Sequence, residues 1–209
     1  MRIDYQKVMD TELEAIHATG KVPKLFLHAC CAPCSSYCLE YLTNHFEVTL
    51  FFYNPNISPV SEYENRLNEL ERLVKEQPHK YPVTIFKAPY DPSVFYDMAK
   101  GHEKDPERGE RCQMCICQRL ELTAKMAAVD GYDYFTTTLS LSPYKDEQYI
   151  NELGGNLATK YGVKYLFSDF RQRNGFERSI ELSEKYNLYQ QNFCGCVFSR
   201  HYPEDNMIR

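Results

Sequence analysis

Lys24-Leu25-Phe26-Leu27-His28-Ala29-Cys30-Cys31-Ala32-Pro33-Cys34-Ser35-Ser36 is the stretch on which the fold turns. A short apolar run rich in strand-forming residues stops at a proline-containing turn and gives way to helix-compatible sequence. It predicts a buried strand over 24–29 and a helix from about Ser35 to His45, with Ser35 or Ser36 as N-cap. Working outward, the same alternation continues: a strand over 46–53 ended by Asn54-Pro55-Asn56, and a charged helix over 60–77 opened by Ser58-Pro59. A third strand is predicted over 81–88, with a helical stretch from Asp91-Pro92 through Lys100. After a breaker-rich loop, 101–109, come a helix over 112–129, a strand over 134–141, a helix over 146–161, a strand over 163–168 and a helix over 176–186.

Strands separated by helices of this length require crossovers, and the economical solution is a mostly parallel five-stranded sheet with helices on both faces. Such sheets bind ligands beyond the carboxyl ends of their strands, where the strand order reverses. The Cys30–Cys34 loop, the Ser142-Pro143 loop and Asp169-Phe170-Arg171 each follow a predicted strand and are expected at that edge.

The chain has 209 residues, 43% of them hydrophobic, which is enough for one core; we expect a single α/β domain over 1–209. The N-terminal segment through Lys24 mixes charged and apolar residues, reads as a short helix and has no secretory h-region. The strongest apolar run, 48–53, is far short of the ~20 residues that span a bilayer, so a cytoplasmic location without membrane association is expected. A net charge of −5 gives no global drive toward nucleic acid, so any RNA contact must come from a local basic patch.

Nine cysteines are many for such a chain, and an odd number cannot all pair internally. Seven of them fall into three groups: Cys30, Cys31 and Cys34; Cys112 and Cys115; and Cys194 and Cys196. The i, i+3 spacing of Cys112 and Cys115 puts both sulfurs on one helix face, where amide N–H groups and Arg111 favour thiolates. Gly195 permits a backbone that presents both of its neighbours to one metal. Seven candidate ligands exceed the four needed by one tetrahedral zinc or one cubane, implying two metal sites or one cluster with reactive thiols. Cys38 reads as a small buried hydrophobe, and Cys117 points away from its helix neighbours. Residue chemistry alone therefore reaches a metal-dependent, most simply iron-sulfur, oxidoreductase.

His28-Ala29-Cys30-Cys31-Ala32-Pro33-Cys34, Arg111-Cys112-Gln113-Met114-Cys115, Thr136-Thr137-Thr138-Leu139-Ser140-Leu141-Ser142-Pro143-Tyr144, Ser168-Asp169-Phe170-Arg171 and the 189–199 segment around Cys194-Gly195-Cys196 together resemble the QueH family of epoxyqueuosine reductases. The resemblance implies reduction of epoxyqueuosine to queuosine at the wobble position of tRNA, on a fold similar to adenine-nucleotide alpha-hydrolases of the PP-loop type. It also implies a [4Fe-4S] cluster on Cys30, Cys31, Cys112 and Cys115, beside a mononuclear iron on Cys34, Cys194 and Cys196. The partners it implies are tRNA carrying epoxyqueuosine in its anticodon and an unidentified electron donor protein. Some members carry aspartate where this chain has Cys34, a departure that bears on coordination.

Tyr144, Asp169 and His28 are candidate proton donors at the same edge, each with an ordinary packing or pairing role as the competing reading. Arg171, Arg173 and Arg178, and Lys104, Arg108, Arg111 and Arg119, could build a basic rim for phosphates, with Tyr53 and Tyr144 stacking on bases. Two other functions compete: an iron-sulfur tRNA sulfurtransferase, whose glycine-rich phosphate loop is absent from residues 30–36, and a zinc-stabilised RNA-binding module.

Overall fold

In the computed structural model, which describes residues 2–201, five parallel strands alternate with helices. The ends of the expected 1–209 domain, residue 1 and residues 202–209, lie outside the described residues. The elements are α1 (Tyr5–Ala18), β1 (Lys24–His28), α2 (Ala32–Leu42), β2 (Glu47–Phe52), α3 (Val60–Glu76), β3 (Val83–Lys87), α4 (Ser93–Ala99), α5 (Glu110–Val129), β4 (Tyr134–Thr137), α6 (Glu147–Tyr161), β5 (Lys164–Tyr165) and α7 (Gly175–Lys185). The strand order is β3-β2-β1-β4-β5. β1 is central, paired in parallel with β2 on one side and β4 on the other.

Alternation along β1 divides the core between the two faces of the sheet. Leu25 and Leu27 pack with α1, α2 and α3 through Leu13, Leu39 and Leu70, and with Phe170 from the loop that precedes α7. Phe26 points the other way, into a second core built on α5 and α6 by Leu120, Ala124, Ile150 and Leu157. Both faces are thus covered, as an all-parallel sheet requires. No helix among the described residues is long and apolar enough to cross a membrane.

Two elements differ from expectation in ways that shape the site. α2 begins at Ala32 rather than Ser35, because Pro33 fits the first helical turn, where its missing N–H would be unpaired in any case. Ser35 and Ser36 consequently do not cap: their hydroxyls donate back to Cys31 O and Pro33 O at 2.7 and 2.8 Å. β4 stops at Thr137 instead of Leu141, and Thr138–Leu141 is a 3-10 turn. The Thr137 hydroxyl accepts from Leu139 N at 3.1 Å, offering the chain a turn in place of further ladder. The order reverses at β1, so the chain leaving β1 toward Cys30 and the chain leaving β4 toward Ser142 flank one crevice.

Candidate metal centre

The first ligand loop is a direct continuation of the central strand. Ala29 N donates to Phe51 O at 3.0 Å, and Asn54 Nδ2 donates to Ala29 O at 2.9 Å, fixing the chain just before the cysteines. Cys31 is extended and precedes α2 without a side-chain cap, and Cys34 falls on the first turn of that helix. This geometry gathers the sulfurs of Cys30, Cys31 and Cys34 within 4.8 Å of one another, with Cys30 and Cys31 3.7 Å apart. The trio favours one thiolate. Hydrogen bonds from Cys31 and Cys34 push Cys30 well below the usual thiol range, while Cys31 is pushed up to about 12 by its bond to Cys30.

Cys112 and Cys115 sit in the opening turns of α5, and Cys196 from the C-terminal segment packs with Cys115. Gly195 between Cys194 and Cys196 has φ +108°, a region open to glycine, and its carbonyl accepts from Ser58 N at 2.9 Å. Burial pushes Cys115 up to about 11 and raises Cys196 as well.

The three groups line two adjoining cavities. One, of about 160 Å³, is bordered by Cys30, Cys31, Cys34 and Cys194, with Tyr144 and Gln191. The other, of about 20 Å³, is bordered by Cys112, Cys115, Cys194 and Cys196. Arg119, Lys145 and Cys194 belong to both walls. All seven expected cysteines therefore meet at one crevice. The implied [4Fe-4S] set takes Cys30 and Cys31 from the wall of one cavity and Cys112 and Cys115 from the wall of the other.

Charge shows what the crevice is built to hold. Arg119 is only 3% exposed and forms no ion pair with a carboxylate among the described residues; its Nε donates to Cys115 O at 3.1 Å. A buried cation is costly unless countered. Against its burial, the thiols of Cys115, Cys194, Cys30 and Cys112 keep the guanidinium firmly charged. Lys145 Nζ donates to Cys194 Sγ at 3.4 Å, and that neighbour raises its pKa. One buried and one half-buried cation facing several sulfurs fit an anionic thiolate-bound group, and thiolates suit iron-sulfur chemistry or zinc.

The remaining expected residues separate clearly. Cys38 is fully buried in the α2 core, and Cys117 faces an outer groove with Met114 and Gln118; neither reaches the crevice. His28 is fully buried, with Nδ1 2.9 Å from the Thr137 hydroxyl and Nε2 3.2 Å from Tyr53 O. Burial, aided by Arg119, pushes its pKa down to about 3, so it is a neutral core histidine. Asp169 is engaged by Arg171 Nε at 2.8 Å, whereas Tyr144 lines the larger cavity with the Arg108 guanidinium 5.6 Å from its ring. Tyr53 stacks on Phe51.

The basic rim shrinks on inspection. Arg111 is buried, its Nη1 donating to the carbonyls of His102, Glu103 and Asp105 at 2.8–2.9 Å, so it pins the 101–109 loop onto α5 instead of meeting solvent. Arg173 pairs with Asp10, Arg178 with Glu40 and Glu181, and Arg171 with Asp169 and Glu147. Lys104 and Arg108 stay exposed. Sequence reading missed Lys145 and Arg66. Lys145 follows Ser142-Pro143-Tyr144 at the expected edge, a signal that was available; Arg66 lies in a charged helix and reads as solvated.

Comparison with known proteins identifies the family of this chain. The family model described as "Epoxyqueuosine reductase QueH" matches residues 25–202. A protein of that name from Staphylococcus epidermidis is 45% identical over 95% of this chain and 85% of its own length. One from Streptococcus pyogenes serotype M1 is 40% identical over 95% of this chain and 78% of its own. A solved structure titled as a predicted subunit of tRNA methyltransferase from Methanocaldococcus jannaschii overlays with TM-score 0.44 and 12% identity over 75% of each chain, too remote to argue from. With a family match that spans all three cysteine groups and relatives this similar over most of their length, the chain belongs to the QueH family.

Proposed function

We propose that this chain reduces epoxyqueuosine to queuosine at the wobble position of tRNA, the closing step of queuosine biosynthesis. The observation that carries the reading is the convergence of seven thiols and two cations, the buried Arg119 and the half-buried Lys145, on one crevice at the switch point of the sheet. The reaction removes the epoxide oxygen as water and leaves an alkene, consuming two electrons and two protons. Cys30, Cys31, Cys112 and Cys115 would hold a [4Fe-4S] cluster, and Cys34, Cys194 and Cys196 a mononuclear iron. When bound, these groups supply single electrons and a Lewis-acidic position.

The protein's own residues do the rest. Arg119 and Lys145, in the wall of the larger cavity, offer positive charge where oxygen leaves. Tyr144 and Gln191 present polar groups at its wall, suited to a ring diol. Electrons would come from a separate donor protein in the cytoplasm, and the fold would act as one catalytic domain.

The test is anaerobic incubation of the iron-loaded protein with epoxyqueuosine-containing tRNA and a reductant, followed by nucleoside mass analysis. Loss of one oxygen is expected. A colourless protein with stoichiometric zinc, inert in this assay, would overturn the reading in favour of a zinc-stabilised RNA-binding module.

A further inference from the structure

Cys194 and Cys196 lie on a segment, residues 186–196, that has no helix or strand of its own. Its backbone is held by one stripe of α3. Arg66 Nη1 donates to Cys194 O at 3.3 Å and Arg66 Nη2 to Phe193 O at 3.2 Å. Two turns further along, Arg72 Nη2 donates to Tyr186 O and Asn187 O at 3.0 and 3.1 Å, and Glu69 Oε1 accepts from Tyr189 N at 2.7 Å. Glu62, Arg66, Glu69 and Arg72 follow helical i, i+3 and i, i+4 spacing, so they form a continuous row of alternating charge. Arg66, Glu69 and Arg72 of this row bind main-chain atoms.

Arg66 is the member nearest the cysteines. It is 2% exposed, its Nε donates to Glu62 Oε1 at 2.7 Å, and its guanidinium lies 5.3 Å from the Phe193 ring centre. Glu62 also accepts from Tyr189 OH at 2.9 Å, bracing the pair from the segment side. A Cβ on Gly195 would sit 3.2 Å from Arg66 Nη1 and 3.0 Å from Ile57 Cγ1, so the bare glycine lies directly on the fork. Arg66 also borders the larger cavity beside Cys31. Nothing about a lysine would reproduce this: the three donor directions are fixed by guanidinium planarity.

We propose that Arg66 is a positioning residue for the metal centre, fixing through the carbonyls of Phe193 and Cys194 where the Cys194-Gly195-Cys196 thiols point. This rests on the assignment of those cysteines to the mononuclear iron. Loss of the fork releases that iron and leaves the [4Fe-4S] cluster, whose ligands are set by β1, α2 and α5, in place.

The experiment compares anaerobically loaded wild-type protein with Arg66→Gln and Arg66→Lys. It measures iron and acid-labile sulfide per chain, the Mössbauer spectrum, and iron retention against a chelator. In both variants the iron in excess of sulfide is expected to be held about tenfold or more less tightly, as loss of charge-assisted hydrogen bonds implies, with sulfide and its matched iron unchanged. Full retention of the extra iron, or parallel loss of both metals, overturns the proposal. Gly195→Ala attacks the same junction without removing a buried charge; it is expected to shift the same Mössbauer component, and an unshifted component also counts against the proposal. Wild-type protein without iron beyond the sulfide-matched amount would instead overturn the underlying metal assignment.

Discussion

The cysteines lining the two cavities solve one problem by opposite means. Cys30, Cys31 and Cys34 come from five consecutive positions, and one strand-to-helix junction brings their sulfurs within 4.8 Å. Cys112, Cys115, Cys194 and Cys196 come from a helix and a remote irregular segment, and are joined by long-range contacts. A local turn gives a site whose shape follows from the sequence around it. A site assembled at a distance needs bracing residues that resemble ordinary surface charge.

The sharpest way to break this contrast is to replace one cysteine from each group. Cys30→Ser and Cys115→Ser are each expected to abolish sulfide-matched iron and to reduce turnover by at least ~100-fold, a ligand costing no less than an outer-shell partner. If the local and assembled groups instead hold separate metals, each variant keeps the other group's metal, and iron and sulfide analysis tells the two cases apart. Next in size, Lys145→Met removes a cation from the common wall while sparing every thiol. Turnover is expected to fall by ~10–100-fold with iron content little changed, as for an outer-shell partner of a metal ligand.

Acid tests the local group through its foundation. His28, buried under the trio, has its folded pKa depressed to about 3 from an unfolded value near 6.5. The unfolded chain therefore binds the extra proton between these values. The neutral histidine's contribution is fully present above about pH 6.5 and is lost as pH falls toward 3, at up to ~1.4 kcal/mol per pH unit. Denaturant titrations of metal-free wild type and His28→Asn across pH 3–6.5 check this, and equal slopes would refute it. Cys38→Ala is expected to cost ~1 kcal/mol in the same assay with metals and turnover intact, and Cys117→Ser to stay within ~0.5 kcal/mol.

Legibility followed the same line. The strand order could not be read from the sequence, but the β-α alternation could, because Leu25, Phe26 and Leu27 are continuous apolar residues bounded by a turn. The turn after β4 escaped because Thr136-Thr137-Thr138 has strand propensity; one hydroxyl accepting from Leu139 N decides otherwise. Likewise Arg111 and Arg66 looked like solvated charge, and only contacts distant in the fold reveal that each ties down carbonyls. That seven of the thiols fall into three groups was legible from motif spacing, and the structure puts those groups around adjoining cavities. The bracing of its last two members was not.

The wide sequence separation of the ligands has a consequence for how the protein is made. A nascent chain exposes Cys30, Cys31 and Cys34 at the end of what becomes the central strand long before Cys194 and Cys196 leave the ribosome. β1 can acquire its β4 neighbour only after residue 137 is synthesised, and the crevice closes only once α3 has captured the final segment. A chain that stops short of residue 194 therefore presents the thiols of Cys30, Cys31 and Cys34 without the Cys194 wall of their cavity.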